Sequence, residues 1–142
     1  LQASPRDYCR TMELLEPTGR LVPHVCVGLQ SERGEEGTLE TISAHSVRAL
    51  IILGLMGARG TMYEHRSVPP ERLVRAVGKA VATVPAPVLL GCMRPRGQWE
   101  VEVQAIEDGA AGVVNPSPRT VQWALDQGYR VENVPSCCAL HL

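Results

Sequence analysis

Short apolar runs alternate with longer amphipathic stretches along this chain, and the alternation repeats four times. In residues 21–29, Leu21, Pro23, Val25, Val27 and Leu29 fall on one side of an extended chain and Val22, His24, Cys26 and Gly28 on the other, which predicts a strand. A parallel strand covered by helices turns a branched apolar face toward them, so Val25, Val27 and Leu29 are expected to face helices and His24, Cys26 and Gly28 to point inward. Residues 30–37 are polar, acidic and glycine-rich and predict a loop; residues 38–47 predict a helix with Leu39, Ile42 and Val47 on one face. Residues 49–56 are apolar without alternation, as in a strand buried on both sides. Residues 57–70 predict a loop of a length associated with function. Residues 71–84 are an amphipathic helix with Leu73, Val74, Val77 and Val81 on one stripe, ended by Pro85 and Pro87.

The third unit is a strand at 88–92, the loop Gly91-Cys92-Met93-Arg94-Pro95-Arg96-Gly97 and a helix at 99–108 stopped by Gly109. The fourth is a short strand at 112–115 and a helix at 119–127, with Ser117 as N-cap, Pro118 at the first helical position and Gly128 closing it. Residues 8–15 predict a leading helix closed by Pro17-Thr18-Gly19, and residues 129–134 a last extended piece. Strand followed by helix, four times over, implies a parallel sheet with right-handed crossovers. The expected fold class is α/β, one domain over residues 1–142. Four βα units make half of an eight-unit barrel, or a small open sheet. The leading helix, with no strand before it, points to the C-terminal half of a (βα) TIM-like barrel within a longer chain.

Composition narrows the function classes. The 142 residues are 44% apolar with no Phe, so the core must come from Val, Leu, Ile and Ala. A net charge of −1 supplies no basic footprint for nucleic acid. The longest apolar run, 49–56, is too short to span a bilayer, and residues 1–7 lack the apolar core of a signal peptide. Five irregularly spaced cysteines, Cys9, Cys26, Cys92, Cys137 and Cys138, do not make a disulfide framework; cytoplasmic thiols, some of them metal-bound, are the expectation.

Ligands of parallel α/β folds bind at the C-terminal ends of the strands, which is where the Gly91–Gly97 loop stands. Arg94 and Arg96 could pair bidentately with a substrate carboxylate, and His24 could reach substrate from the interior. Cys92, Cys137 and Cys138 are candidate ligands of an auxiliary iron–sulfur cluster, since thiolates are its usual ligands. Gly28 permits a ligand to approach the backbone closely. The capped start of the last helix, at Ser117, could bind an anion.

The order of these motifs resembles the C-terminal half of the barrel of radical S-adenosylmethionine enzymes, in the biotin synthase-like group. Val25-Cys26-Val27-Gly28-Leu29 with Glu35-Glu36 behind it resembles that family's fifth strand. Gly57-Ala58-Arg59-Gly60-Thr61-Met62 resembles the Gly-Thr-Pro turn after its sixth, with Met62 in place of the proline. Gly91-Cys92-Met93-Arg94, with Gln104-Ala105 and Gly109-Ala110-Ala111 following, resembles the seventh strand and its helix. Leu89 stands where biotin synthase has a cluster-ligating arginine, and no Cys-x3-Cys-x2-Cys occurs in the chain. The resemblance therefore implies either a degenerate relative or a fragment, with the reductive [4Fe–4S] cluster outside this segment. It further implies that Gly28 contacts S-adenosylmethionine, and that Leu55 and Met56 lie near its adenine. The Cys-Met-Arg-Pro-Arg-Gly loop together with Cys137-Cys138-Ala139-Leu140 is similar to a subunit of two-component lipoyl synthases. What that implies is sulfur insertion into an acyl chain held on a carrier, an electron-donor protein and a partner subunit. Two alternatives stand beside it: a phosphate-handling (βα) barrel lyase or aldolase using residues 115–118, and a non-catalytic subunit whose half-barrel completes another protein's.

Overall fold

The structure, a computed structural model, describes residues 4–135. A leading helix α1 (Pro5–Leu15) runs into a turn of 3-10 helix, Glu16–Thr18. Four βα units follow: β1 (His24–Val27) and α2 (Glu32–Ser43), β2 (Leu50–Gly54) and α3 (Pro70–Thr83), β3 (Val88–Leu90) and α4 (Trp99–Glu107), β4 (Gly112–Val113) and α5 (Pro118–Asp126). The strands form one sheet in the order β1-β2-β3-β4, every pair parallel. The α/β class and the alternation expected from the sequence are thus present.

An unbroken strand order has a consequence for the helices. When each crossover moves one strand further in the same direction with the same hand, successive helices fall on the same face of the sheet. The register aligns Val25, Ile52, Leu90 and Val113 in one row. The first three are buried in a single core with Leu39 and Ile42 of α2, Leu73, Val77 and Ala80 of α3, and Val101 and Ala105 of α4; Val113 packs against it. The helices pack in series, α2 on α3, α3 on α4 and α4 on α5. The neighbouring row, His24, Ile51, Leu89 and Gly112, belongs to the opposite face. Ile51 is fully buried there, whereas His24 is exposed and Leu89 half-buried. One face packed by helices and one that, among the described residues, carries none is how four consecutive units of a (βα) barrel would look.

Several expected boundaries move. The acidic stretch at 30–37 is not a loop beyond Ser31: α2 starts at Glu32. Ser31 caps it by accepting from the Gly34 amide, and Glu32 and Glu35 in the first turn suit the positive end of the helix dipole. Those capping and charge effects outweigh the glycines, each of which costs a helix interior about 1 kcal/mol. The first strand is shorter than 21–29, because Gly28 leaves the extended region at φ 102°. Leu29 is therefore turned out to solvent, 46% exposed, and does not face the helices as expected. The apolar run at 49–56 keeps only Leu50–Gly54 as strand. Residues 129–134 pair with no strand.

Candidate functional site

Each strand of a parallel sheet delivers its following loop to the same edge, and here that edge gathers residues 28–31, 55–69, 91–98 and 114–117. At the exit of β1, the Gly28 amide donates to Oε1 of Glu35 at 2.7 Å. Arg72, in the first turn of α3, donates to the same oxygen at 2.7 Å and to the Gln30 carbonyl at 2.6 Å. Glu35 is 5% exposed, so its charge is balanced by this arginine and not by water. A Cβ on Gly28 would lie 3.0 Å from Cβ of Leu55. The glycine thus makes room for Leu55, and its amide is taken by Glu35. Gly28, Leu55 and Met56 do come together at this corner, with Leu55 buried and Met56 42% exposed.

The exit of β2 is a closed loop. Its neck is stitched by Val68 donating to Leu55, by Met56 bridging Ser67, and by Gly57 donating to the Arg66 carbonyl at 2.8 Å. The tip carries Met62, 84% exposed.

The exit of β3 is held from below. Gly91 is pressed onto the sheet, where a Cβ would meet Leu53 Cδ2 at 2.3 Å and Ile51 Cγ2 at 2.8 Å. The loop then leans toward β2, because the Gly54 amide donates to the Met93 carbonyl at 2.7 Å. Arg94 does not project toward a substrate. It is 6% exposed and bonds the protein itself: Nη1 donates to the carbonyls of Gly91 (2.5 Å) and Val114 (2.8 Å), and Nη2 to Glu102 Oε1 (2.5 Å) and the Asn115 carbonyl (3.2 Å). The carboxylate bound by Arg94 is thus Glu102, from the first turn of α4. Oε2 of Glu102 accepts from the Ser117 amide (2.8 Å) and from the Thr120 hydroxyl (2.6 Å) at the start of α5. A carboxylate of the chain already sits where an anion at that helix start would go.

Among the sequence candidates, Cys92 is exposed at the rim and Arg96 lies exposed near the tip of the same loop. His24 opens β1 at the opposite edge of the sheet, three residues and roughly 10 Å of strand away from Val27; its Nδ1 lies 3.0 Å from the Val22 carbonyl. The structure does not bring His24 to the rim that holds Cys92. Cys137 and Cys138 lie outside the described residues. Among the described residues, no group of three or more His, Cys, Asp or Glu side chains could hold a metal ion, and no helix is long and apolar enough to cross a membrane.

Two features of the rim escaped the sequence reading. Glu102 was not singled out, although Glu102 and Ala105, three apart, share a helical face, and a carboxylate on a buried stripe calls for a cation. Arg72, on α3 but outside its apolar stripe, is bound to Glu35. Two further cross-helix pairs accompany it, Arg75 with Glu32 and Lys79 with Glu36. The other feature is apolar. Leu29, Met56, Met62 and Met93 are exposed and all lie on the loops of this edge.

The two thiols of this sheet differ in environment. Cys26 is half-buried on the bare face, and burial, with a smaller contribution from the Glu35 charge, raises its pKa. Only the thiolate is nucleophilic. Iodoacetamide at pH 8 is therefore expected to modify Cys92 first, with Cys26 lagging by about tenfold or more; peptide mass spectrometry of a time course measures both, and equal rates would contradict the placement. Glu102 provides a second check. Burial raises its pKa, but the Thr120 hydroxyl, the Ser117 amide and Arg94 together outweigh burial and leave it below the ordinary value. A carboxyl lowered on folding contributes stability above its unfolded pKa of about 4.3 and loses it as pH falls through the folded value. Urea midpoints should therefore drop below about pH 4 in the wild type, and drop less in Glu102→Gln.

Comparison with protein-family models and with curated proteins gives no match to this chain.

Proposed function

We propose that these four βα units form the substrate-bearing side of a radical S-adenosylmethionine barrel, and that the rim around Cys92 serves sulfur insertion into an alkyl chain. The observation that carries this reading is the character of the rim. Leu29, Met56, Met62 and Met93 are exposed on loops that follow three successive strands, and Met93 is the neighbour of Cys92. Unbranched, polarizable methionines adapt to a flexible apolar ligand, and exposed apolar groups gathered at one edge mark a binding surface. Support also comes from the three stretches that resemble the family. Far apart in sequence, they lie at the C-terminal ends of β1, β2 and β3. The substrate class is an acyl chain on a carrier, entering over the methionines.

The described residues do not by themselves fit an iron–sulfur cluster, since Cys92 has no companion ligands among them. Cys92 enters this reading as one ligand, with Cys137 and Cys138 as candidates for others. S-adenosylmethionine and its reductive cluster would supply the hydrogen-abstracting radical from the other half of the barrel, provided by a partner subunit or by more of the same protein and reduced by an electron-donor protein. The outer edges of β1 and β4, unpaired among the described residues, are where those further strands would join.

The test is an anaerobic preparation of the full protein with whatever co-purifies. Iron, acid-labile sulfide, release of 5′-deoxyadenosine from S-adenosylmethionine and sulfur transfer to an octanoyl-bearing carrier are measured. Iron and both activities are expected in the wild type, with iron lowered in Cys92→Ala. A colourless preparation without either activity overturns the reading.

A further inference from the structure

Glu102 lies on α4, outside the rim loops, yet among the described residues it is the one carboxylate that touches two of them. Oε1 takes Arg94 from the β3 loop, and Oε2 takes Ser117 and Thr120 from the β4 loop and the start of α5. Arg94 closes the ring by reaching the carbonyls of Gly91, Val114 and Asn115. Side chains of both ionic partners are less than a tenth exposed. Asn115 adds a sign of constraint: it is the one non-glycine described residue at positive φ, 49°, held there while its carbonyl accepts from Arg94. Side-chain positions this well determined are stiff, because each group would lose charge-assisted bonds on moving and could not regain them from water.

We propose that Glu102 is a positioning residue for Cys92. Acting through Arg94, it locks the loops after β3 and β4 into one rigid body, so that Cys92 and Met93 are presented at a fixed place on the rim. The assignment of work to Cys92 rests on the function proposed above; the locking of the loops does not. Burial alone would not require such an arrangement, since an apolar pair of similar volume stabilises as well or better. What the ion pair adds is direction, fixing the loops by bonds of defined geometry at three backbone carbonyls and both carboxylate oxygens of Glu102.

The experiment is hydrogen exchange on the full chain, comparing the wild type with Glu102→Gln and, as a second variant that keeps the positive charge, Arg94→Lys. The hydrogen-bonded amides of the two loops, Gly91, Val114 and Ser117, are expected to exchange about tenfold faster or more in both variants, together, while Leu50–Gly54 of the central strand change much less. A nitroxide on Cys92, with the other cysteines replaced by alanine, should gain mobility in the same variants; a purely stabilising role would leave it unmoved under native conditions. If the two loops respond separately, or only in step with the central strand, the proposal is overturned. Iron content separates it from the function on which it rests. Iron bound in the wild type and lowered in Glu102→Gln supports both, whereas coupled loops in a wild type that binds no iron uphold the positioning and sink the sulfur-insertion reading.

Discussion

Arg94→Ala is expected to destabilise the protein by about 3–5 kcal/mol, the usual cost of removing one partner from a buried ion pair. The alanine leaves the buried Oε1 of Glu102 without its cation and strips donors from the carbonyls of Gly91, Val114 and Asn115. Against a total stability of about 5–15 kcal/mol this is a large share, and for a chain of this size it corresponds to a fall in Tm of roughly 10–15 °C. The comparison is Arg96→Ala, two residues along the same loop but exposed, for which a change within about 0.5 kcal/mol is expected. The sign of the pH dependence provides a further check. Arg94 favours charged Glu102 over neutral, so its removal matters most where the carboxyl is ionised. The gap between wild type and Arg94→Ala in urea unfolding should be full near pH 7 and narrow as pH falls below about 4. A gap that does not change with pH would mean that Arg94 acts by packing alone.

The contrast between the two arginines shows how far the sequence can be read. Pro95 and Gly97 mark a turn after an apolar run, and that suffices to place both arginines on the loop after β3. Which of them is buried depends on a carboxylate eight residues further on and on carbonyls of the loop after the next strand, contacts that no local periodicity encodes. The strand–helix alternation was legible for the opposite reason. Val25, Val27, Leu73, Val77 and Val101 sit at the spacings that bury one face of each element, and all are in the core. The start of α2 departs from the expected loop because glycines at 34 and 37 mask the local Ser31 cap, while the Arg72–Glu35 and Arg75–Glu32 pairs that stabilise a helix there involve a partner element. The same limit applies to His24. Alternation correctly set it on the bare face with Cys26, but which end of a strand lies near a site is a matter of where the strand stops, and Gly28 stops this one.

A shared design emerges at the rim. The carboxylate of Glu35, from the first turn of α2, holds the β1 loop and Arg72 of α3; that of Glu102, from the first turn of α4, holds the β3 loop and the start of α5. Each pair joins neighbouring units, and the Gly54 to Met93 bond joins the two halves. The outward parts of these loops, with Cys92 and the methionines, stay exposed, and in the function proposed above they are what meets the ligand. A rigid frame under adaptable side chains suits a site that must fix a reactive group and still admit a flexible chain.

The loop after β2 belongs to that frame through its neck, and Gly57→Ala is expected to open it. A Cβ at Gly57 would lie 2.0 Å from the Tyr63 carbonyl oxygen, 2.6 Å from that of Glu64 and 2.8 Å from that of Arg66. All three are backbone atoms, so no side-chain rotation relieves the overlap, and the bond from the Gly57 amide to the Arg66 carbonyl must break. Overpacking of this kind costs about 1–3 kcal/mol and more where the backbone has to move. The damage should spread to Val68, which is 2% exposed and packs against Gly28 and Gly54, and so loosen the corner of Leu55 and Met56. Limited trypsin digestion reads the result directly: cleavage after Arg59 and Arg66 should accelerate about tenfold or more in Gly57→Ala, in proportion to the open population. Gly60→Ala, in the same loop, separates space from conformation. Gly60 has φ 78° with nothing within 4 Å of a Cβ, so alanine there meets only the left-handed backbone penalty of about 1–2 kcal/mol and should leave the neck bonds in place. Equal trypsin sensitivity in the two variants would show that loop conformation, and not the crowded neck at Gly57, keeps this part of the rim closed.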